Sequence, residues 1–258
     1  MGKIVVFSNR KGGTGKTTVA VNVAALLADR GKRCLLVDLD SQAHATVHLG
    51  TNPLEVRYGM YEALVDFIEK KTWREDLFLS TGSCTLIPSN SRLAALDVEL
   101  NHVTDGVLVL RDFLFEFESS FDYIFIDTPP SLGLVTLSAL AAAQYLIIPT
   151  KVDFLSGVGL AQMMEVYYRT SASLNPLLEF SGIIPTMFET KTRITREIIK
   201  ELSQTFGEEK ILPPLRRDIK IVEASSHGVP VHRYAPRCRA AQDIRQITDK
   251  LVERVGGK

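Results

Sequence analysis

The sequence predicts an α/β fold: a doubly wound, mostly parallel sheet with helices on both faces. Three observations carry this. Short unbroken apolar runs alternate with helical patterns from end to end. The first run leads through a glycine-rich loop directly into a helix. No long Gly/Pro/Ser linker, repeat or low-complexity tract interrupts the alternation, so residues 1–258 read as a single domain. Strands that are apolar on both faces and separated by helices belong to a parallel sheet covered on each side. In such a sheet the ligand sits at the carboxyl ends of the strands.

The elements follow in order. Residues 4–7 (IVVF) read as the first strand and 17–29 as the helix after the loop. Residues 34–37 (CLLV) form a second strand that ends in Asp38. Helical patterns at 61–70 and 106–116 lead to a strand at 123–126 (YIFI), which ends in Asp127. The rest reads as helix 134–143, strand 146–148, helix 157–170, strand 182–184, helix 193–206 and helix 240–255.

The loop itself is Lys11-Gly12-Gly13-Thr14-Gly15-Lys16-Thr17-Thr18. Glycines let backbone N–H groups turn inward around phosphate oxygens, and the following helix N-terminus adds a favourable dipole. In that setting Lys16 reaches the β- and γ-phosphates of ATP and the Thr17 hydroxyl ligates Mg²⁺. The general pattern GxxxxGK[ST] asks for glycine at position 10, where this chain has Arg10. It places a second lysine, Lys11, just before the first glycine, a cation expected to need a polyphosphate to neutralise it.

Two strand-end segments supply carboxylates. Asp38 and Asp40 close the second strand, where such a group holds a metal-bound water or positions an attacking one. Asp127 has the Walker B position, orienting Mg²⁺ from the end of an apolar strand. The prolines Pro129 and Pro130 stiffen the loop after it, a suitable place for a nucleotide-sensing switch. His44 reads as a solvated loop histidine in preference to a ligand or base.

Composition excludes several classes. No apolar run approaches the roughly 18–20 residues of a membrane span. Cys34, Cys84 and Cys238 lie far apart without CxxC spacing, which argues against zinc, an iron–sulfur centre or a disulfide framework. The chain starts at once with a strand, so neither a signal peptide nor a separate N-terminal DNA-binding domain is expected. Net charge is zero, but residues 181–258 hold 15 Lys/Arg against 10 Asp/Glu, a net of +5 balanced by −5 before them.

The motifs KGGTGKTT, LLVDLDSQAHAT, IFIDTPPSLG, PTKVDFLSGVGLAQM and IKIVEASSHGVPVHRYAPRCRAAQDI together resemble the ParA/Soj group of partition ATPases, within the larger ParA/MinD deviant-Walker class. The resemblance spans nearly the whole chain. It implies an ATP-held homodimer in which Lys11 crosses to the partner's nucleotide. Lys16 and Thr17 then serve their own ATP and Mg²⁺, Asp40 positions the hydrolytic water, and Asp127 is the Walker B group. It also implies non-specific DNA binding by that dimer and slow hydrolysis raised by a ParB-like or cargo-bound activator, in a cytoplasmic, nucleoid-associated protein.

The family's DNA-contacting positions match Lys191, in the loop after PTMF, and Lys220, in the strand before EASSHG. Arg193, Arg196, Arg216 and Arg217 lie nearby. Both matched positions are arginine in relatives, and lysine keeps the charge but loses the planar fork that grips phosphate. Thr14 replaces a common valine. Ser41, Ala43 and His44 replace the usual Pro, Gly and Asn. The nearest rival is a MinD-like membrane-cycling ATPase with an amphipathic C-terminal helix. Here that helix sets Ile244, Ile247, Leu251, Val252 and Val255 on one stripe with a face of mixed sign opposite, which favours packing on the sheet. A nitrogenase-iron-protein type lacks suitably placed cysteines, and a synthetase type lacks an identifiable substrate pocket.

Overall fold

The structure, a computed structural model, describes residues 2–153, 156–189 and 193–256. Among these, eight strands form one sheet in the order β3-β4-β2-β5-β1-β6-β7-β8. They are β1 (Lys3–Phe7), β2 (Cys34–Asp38), β3 (Leu79–Ser80), β4 (Thr85–Ile87), β5 (Tyr123–Asp127), β6 (Tyr145–Lys151), β7 (Glu179–Phe188) and β8 (Leu215–Arg216). All pair in parallel except the short β3, which runs antiparallel to β4. β1 sits centrally between β5 and β6, so chain connections leave it in both directions. That reversal of strand order is where a doubly wound sheet opens a ligand crevice.

Side-chain alternation divides the core. Ile4, Val6, Leu35, Val37, Ile124 and Ile126 point to one face. There they meet α3 (Met60–Lys70), α4 (Leu96–Asn101), α5 (Val109–Phe115), α6 (Leu134–Ala142) and α7 (Ser156–Ser173). Val5, Phe7, Cys34, Leu36, Tyr123 and Phe125 point to the other face, against α1 (Lys16–Asp29) and α11 (Arg239–Gly256). With a period of two, Asp38 and Asp127 share the face of Leu36 and Phe125, which is the α1 face. The register pairs Asp38 with Asp127, and Phe7 with Asp127, in one row. The phosphate loop therefore turns into α1 directly above both carboxylates.

The remaining helices are the short α2 (His44–His48), α8 (Arg193–Phe206), α9 (Ile219–Ser226) and α10 (Val231–Tyr234). The expected elements are present, with β6 and β7 longer than the sequence pattern suggests. The two-residue β3 and β8 and the three-residue β4 have no counterpart in that pattern. Lys220 lies in the first turn of α9, not in a strand, because Asp218 caps a helix there by accepting the Lys220 N–H at 3.1 Å. The apolar stripe of α11 is core: Ile244, Ile247, Leu251 and Val255 are buried against the α1 layer. Each such side chain contributes roughly 1.5–3 kcal/mol by leaving water, so the stripe is not free to lie on a membrane. No helix among the described residues is long and apolar enough to cross one.

Candidate functional site

The loop after β1 takes its shape from two glycines in the left-handed region, Gly13 at φ 69° and Gly15 at φ 85°. There a side chain would cost about 1–2 kcal/mol. Side chains from two positions hold the loop in place. The Asn9 amide donates to the Pro149 carbonyl at 2.8 Å, and its Oδ1 accepts the Lys11 N–H at 3.1 Å. The Thr186 hydroxyl donates to the Thr14 carbonyl at 2.7 Å. Backbone N–H groups at the start of α1 have no side-chain cap and are left for an anion.

Lys16 opens α1 and is buried. Burial lowers its pKa, while the charges of Asp127 and Asp40 oppose that. Asp127 is completely buried, and neither carboxylate oxygen has a hydrogen-bond partner among the described residues. Its pKa is pushed up to about 8, first by burial and next by Asp38. The Thr17 hydroxyl and Lys16 pull the other way. The Thr17 side chain is thus near enough to favour the charged form without completing a hydrogen bond. A buried, unpartnered carboxylate facing a hydroxyl and an ammonium is costly unless a cation completes it. Oxygen donors of this kind suit Mg²⁺.

Asp40 is buried close by, and its Oδ1 accepts the Gln42 N–H at 3.0 Å. Asp38, expected beside the metal, pairs in register with Asp127 and has both oxygens hydrogen-bonded within its own loop. Its Oδ2 accepts from the Thr46 N–H at 2.8 Å and the Thr46 hydroxyl at 2.7 Å, and its Oδ1 from the Asp40 N–H at 3.1 Å. Its pKa is pushed up to about 6 by burial, against the Thr46 hydrogen bonds. The carboxylate is occupied in holding the loop from β2 to α2, which leaves Asp127 with the free oxygens.

Lys11 also differs from expectation. It is not an unneutralised cation: its Nζ lies 2.9 Å from both oxygens of Asp153, which also pairs with Lys151 at 3.3 Å. Sequence reasoning could not find this partner, 142 residues away. Beside the loop it missed a cavity of about 800 Å³ bordered by Gly15, Thr18, Met187, Ile194, Ile219 and Val222. Met187 lines it at φ 52°, a backbone state disfavoured for a residue with a side chain. The available signal was the apolar pair Ile219 and Val222 at helical spacing, both largely exposed.

The basic positions divide. Arg216 is already engaged: its guanidinium grips the buried Asp243 through Nε at 3.1 Å and Nη2 at 2.6 Å. It therefore acts as a tie between β8 and α11, not as a free phosphate contact. Lys220 pairs with Glu223 at 2.6 Å and Arg193 with Glu197 at 2.7 Å. Arg196 and Arg217 are exposed. Lys191 lies outside the described residues.

Residues 2–180 match the family described as AAA domain. The chain is 35% identical to the chromosome-partitioning ATPase Soj of Treponema pallidum, over 99% of each chain. It is 36% identical to the sporulation initiation inhibitor protein Soj of Bacillus subtilis, over 98% of this chain and 99% of that one. The chain belongs to the ParA/Soj family of chromosome-partitioning ATPases. Among solved structures, cobyrinic acid a,c-diamide synthase of Mycobacterium smegmatis, with a bound ATP analogue and magnesium, superposes with a TM-score of 0.85. It is 29% identical and covers 98% of this chain and 95% of its own. The same protein has also been solved with ADP and magnesium. This partition ATPase thus shares its fold with nucleotide-binding, magnesium-binding proteins.

Proposed function

We propose that this partition ATPase works as an ATP-held homodimer that binds DNA without sequence preference and positions a cargo, with hydrolysis raised by a partner protein. The observation that carries the reading is the convergence of buried Lys16, buried Asp40 and unpartnered Asp127 under a loop of left-handed glycines.

The residues divide the work. Backbone N–H groups of residues 12–18 hold the phosphates, and Lys16 neutralises the β- and γ-oxygens. Thr17 and Asp127 are the groups that fit Mg²⁺, which when bound neutralises charge developing on the transferred phosphoryl. Asp40 sits at the sheet's carboxyl edge to orient an attacking water. The cavity beside Met187, Ile219 and Val222 receives the base. Lys11 crosses to the second subunit, and to do so it exchanges the Asp153 carboxylate for a phosphate. DNA meets Arg196, Arg217, Arg193, Lys220 and Lys191. On this reading the protein works in the cytoplasm, on the nucleoid.

Light scattering of an Asp40→Ala protein with Mg-ATP tests the central claim. A dimer that Lys11→Ala abolishes is the expected result. A Lys11→Ala protein that dimerises and hydrolyses normally would sink it. Association with anionic liposomes in place of DNA would move the protein to the membrane-cycling class.

A further inference from the structure

The loop that follows Asp127 is fastened at both ends, and its far fastening comes from a distant helix. At the near end the Thr128 hydroxyl donates to the Phe7 carbonyl at 2.9 Å. At the far end α6 begins after Gly133, which has no side chain to cap the helix. Asp97, on α4, takes that role: its Oδ1 accepts the Val135 N–H at 2.8 Å. This is the bond an N-cap side chain ordinarily makes within its own helix. The first turn of α6 has no acidic residue of its own, so Asp97 is also the charge that meets the helix dipole there.

Gly133 and Asp97 are matched. A Cβ at position 133 would lie 2.5 and 2.7 Å from the two Asp97 oxygens. Only glycine leaves room for the carboxylate. A third contact closes the loop, the Thr136 hydroxyl donating to the Ser131 carbonyl at 2.7 Å. Leu96 and Leu100 anchor α4 in the core on either side of Asp97.

We infer that Asp97 is a positioning residue for the loop that follows Asp127: by capping α6 it sets where that segment stands, and so ties it to α4. This rests on the reading of the site as an ATPase centre. The six residues 129–134 span the interval between the two fastenings, and the prolines at 129 and 130 make that span stiff. A shift at the Asp97 end is therefore delivered to the Asp127 end instead of being absorbed. Val98, 62% exposed, lies next to Asp97 on the outer side of α4, so the tie is accessible to whatever presses on that helix.

The test uses the full chain with Asp97→Ala, Asp97→Asn and Gly133→Ala. Asparagine keeps an oxygen that can accept the Val135 N–H, and alanine does not. Amide hydrogen exchange over 128–137 in nucleotide-free protein should quicken at least about tenfold in Asp97→Ala and Gly133→Ala, and return towards wild type in Asp97→Asn. With ATP, kcat should fall about tenfold in Asp97→Ala with KM within about twofold, and Asp97→Asn should recover it. Unchanged exchange in Asp97→Ala overturns the clasp. A lowered melting temperature with unchanged kcat per folded molecule reduces Asp97 to a structural cap and overturns the positioning role. Failure of the wild type to hydrolyse ATP would instead defeat the ATPase reading, while the exchange arm still reports on the clasp.

Discussion

The phosphate-facing rim of the sheet and the C-terminal third treat charge in opposite ways. At the rim, Lys16, Asp40 and Asp127 are buried, and Asp127 has no hydrogen-bond partner among the described residues. In the C-terminal third the charges lie mostly near the surface, and many are already paired. Arg216 holds Asp243, Lys220 holds Glu223, Arg193 holds Glu197, and Arg233 holds Asp29. Buried charge without a partner is expensive and persists only where a ligand completes it. Surface pairs contribute little stability and exchange partners cheaply. The rim is thus built for one ligand, and the C-terminal third is an adjustable surface in which several cations already have acidic partners, its net excess of five positive charges remaining after those internal pairs are counted.

The largest effects should come from the rim. Lys16→Ala should lower ATP turnover by at least about 100-fold, since on the proposed reading it removes the cation that meets the phosphates. A steady-state assay with Mg-ATP reads this, and turnover within a few-fold of wild type would break the contrast. Asp40→Ala should lower turnover by a similar factor, about 100-fold, while leaving nucleotide binding intact. Single-turnover and binding measurements on the same protein separate the two. If binding is lost with turnover, Asp40 is holding the loop through its Gln42 contact, not orienting water.

Next in size is the buried tie in the C-terminal third. Asp243→Ala leaves the Arg216 guanidinium without its partner and should cost about 3 kcal/mol of stability, read by urea unfolding. The same substitution should leave nucleotide affinity within about twofold. A stability loss under about 1 kcal/mol would mean that Arg216 finds solvent or DNA as readily as Asp243.

The rim also makes a pH prediction. Burial and the neighbouring Asp38 raise the Asp127 carboxyl to about 8 in the nucleotide-free protein, so it holds its proton well above the ordinary carboxylate range. Binding of Mg-ATP requires the ionised form and should release up to about one proton, costing about 1.4 kcal/mol per unit of pH below the raised pKa. Affinity should therefore fall as pH drops below about 8 and level off above it. Calorimetry in buffers of different ionisation enthalpy reads the proton, and Asp127→Asn should remove the buffer dependence. A wild-type enthalpy independent of buffer would contradict this.

Much of the rim is legible in the sequence because its signals are local. An apolar strand, the loop glycines and Lys16 follow one another without a break, and β5 ends in its own aspartate. The partners of these groups are not legible, because tertiary contacts supply them. Asp153 reaches Lys11, Thr46 occupies Asp38, and Asp97 caps a helix that starts at Leu134. The C-terminal third is harder to read. β8 has only two residues, too few to show a period, and alternating Ile219 and Ile221 imitate a strand. Asp218 is the cap signal that marks the helix instead.

The smallest effect concerns the DNA binding proposed above, and it tests whether ion pairs set the surface. Removing one phosphate interaction should flatten the dependence of log K on log[salt] by about 0.9. Arg217 is exposed, whereas Lys220 must first leave Glu223. Arg217→Glu should therefore weaken binding more than Lys220→Glu, equally across sequences, with ATP-dependent dimerisation intact. Glu223→Gln should do the reverse and tighten binding a few-fold at low salt, because it releases Lys220 from its ion pair. If Glu223→Gln has no effect while Lys220→Glu abolishes binding, the pair already opens at no cost, and the C-terminal surface is as firmly dedicated to its ligand as the rim.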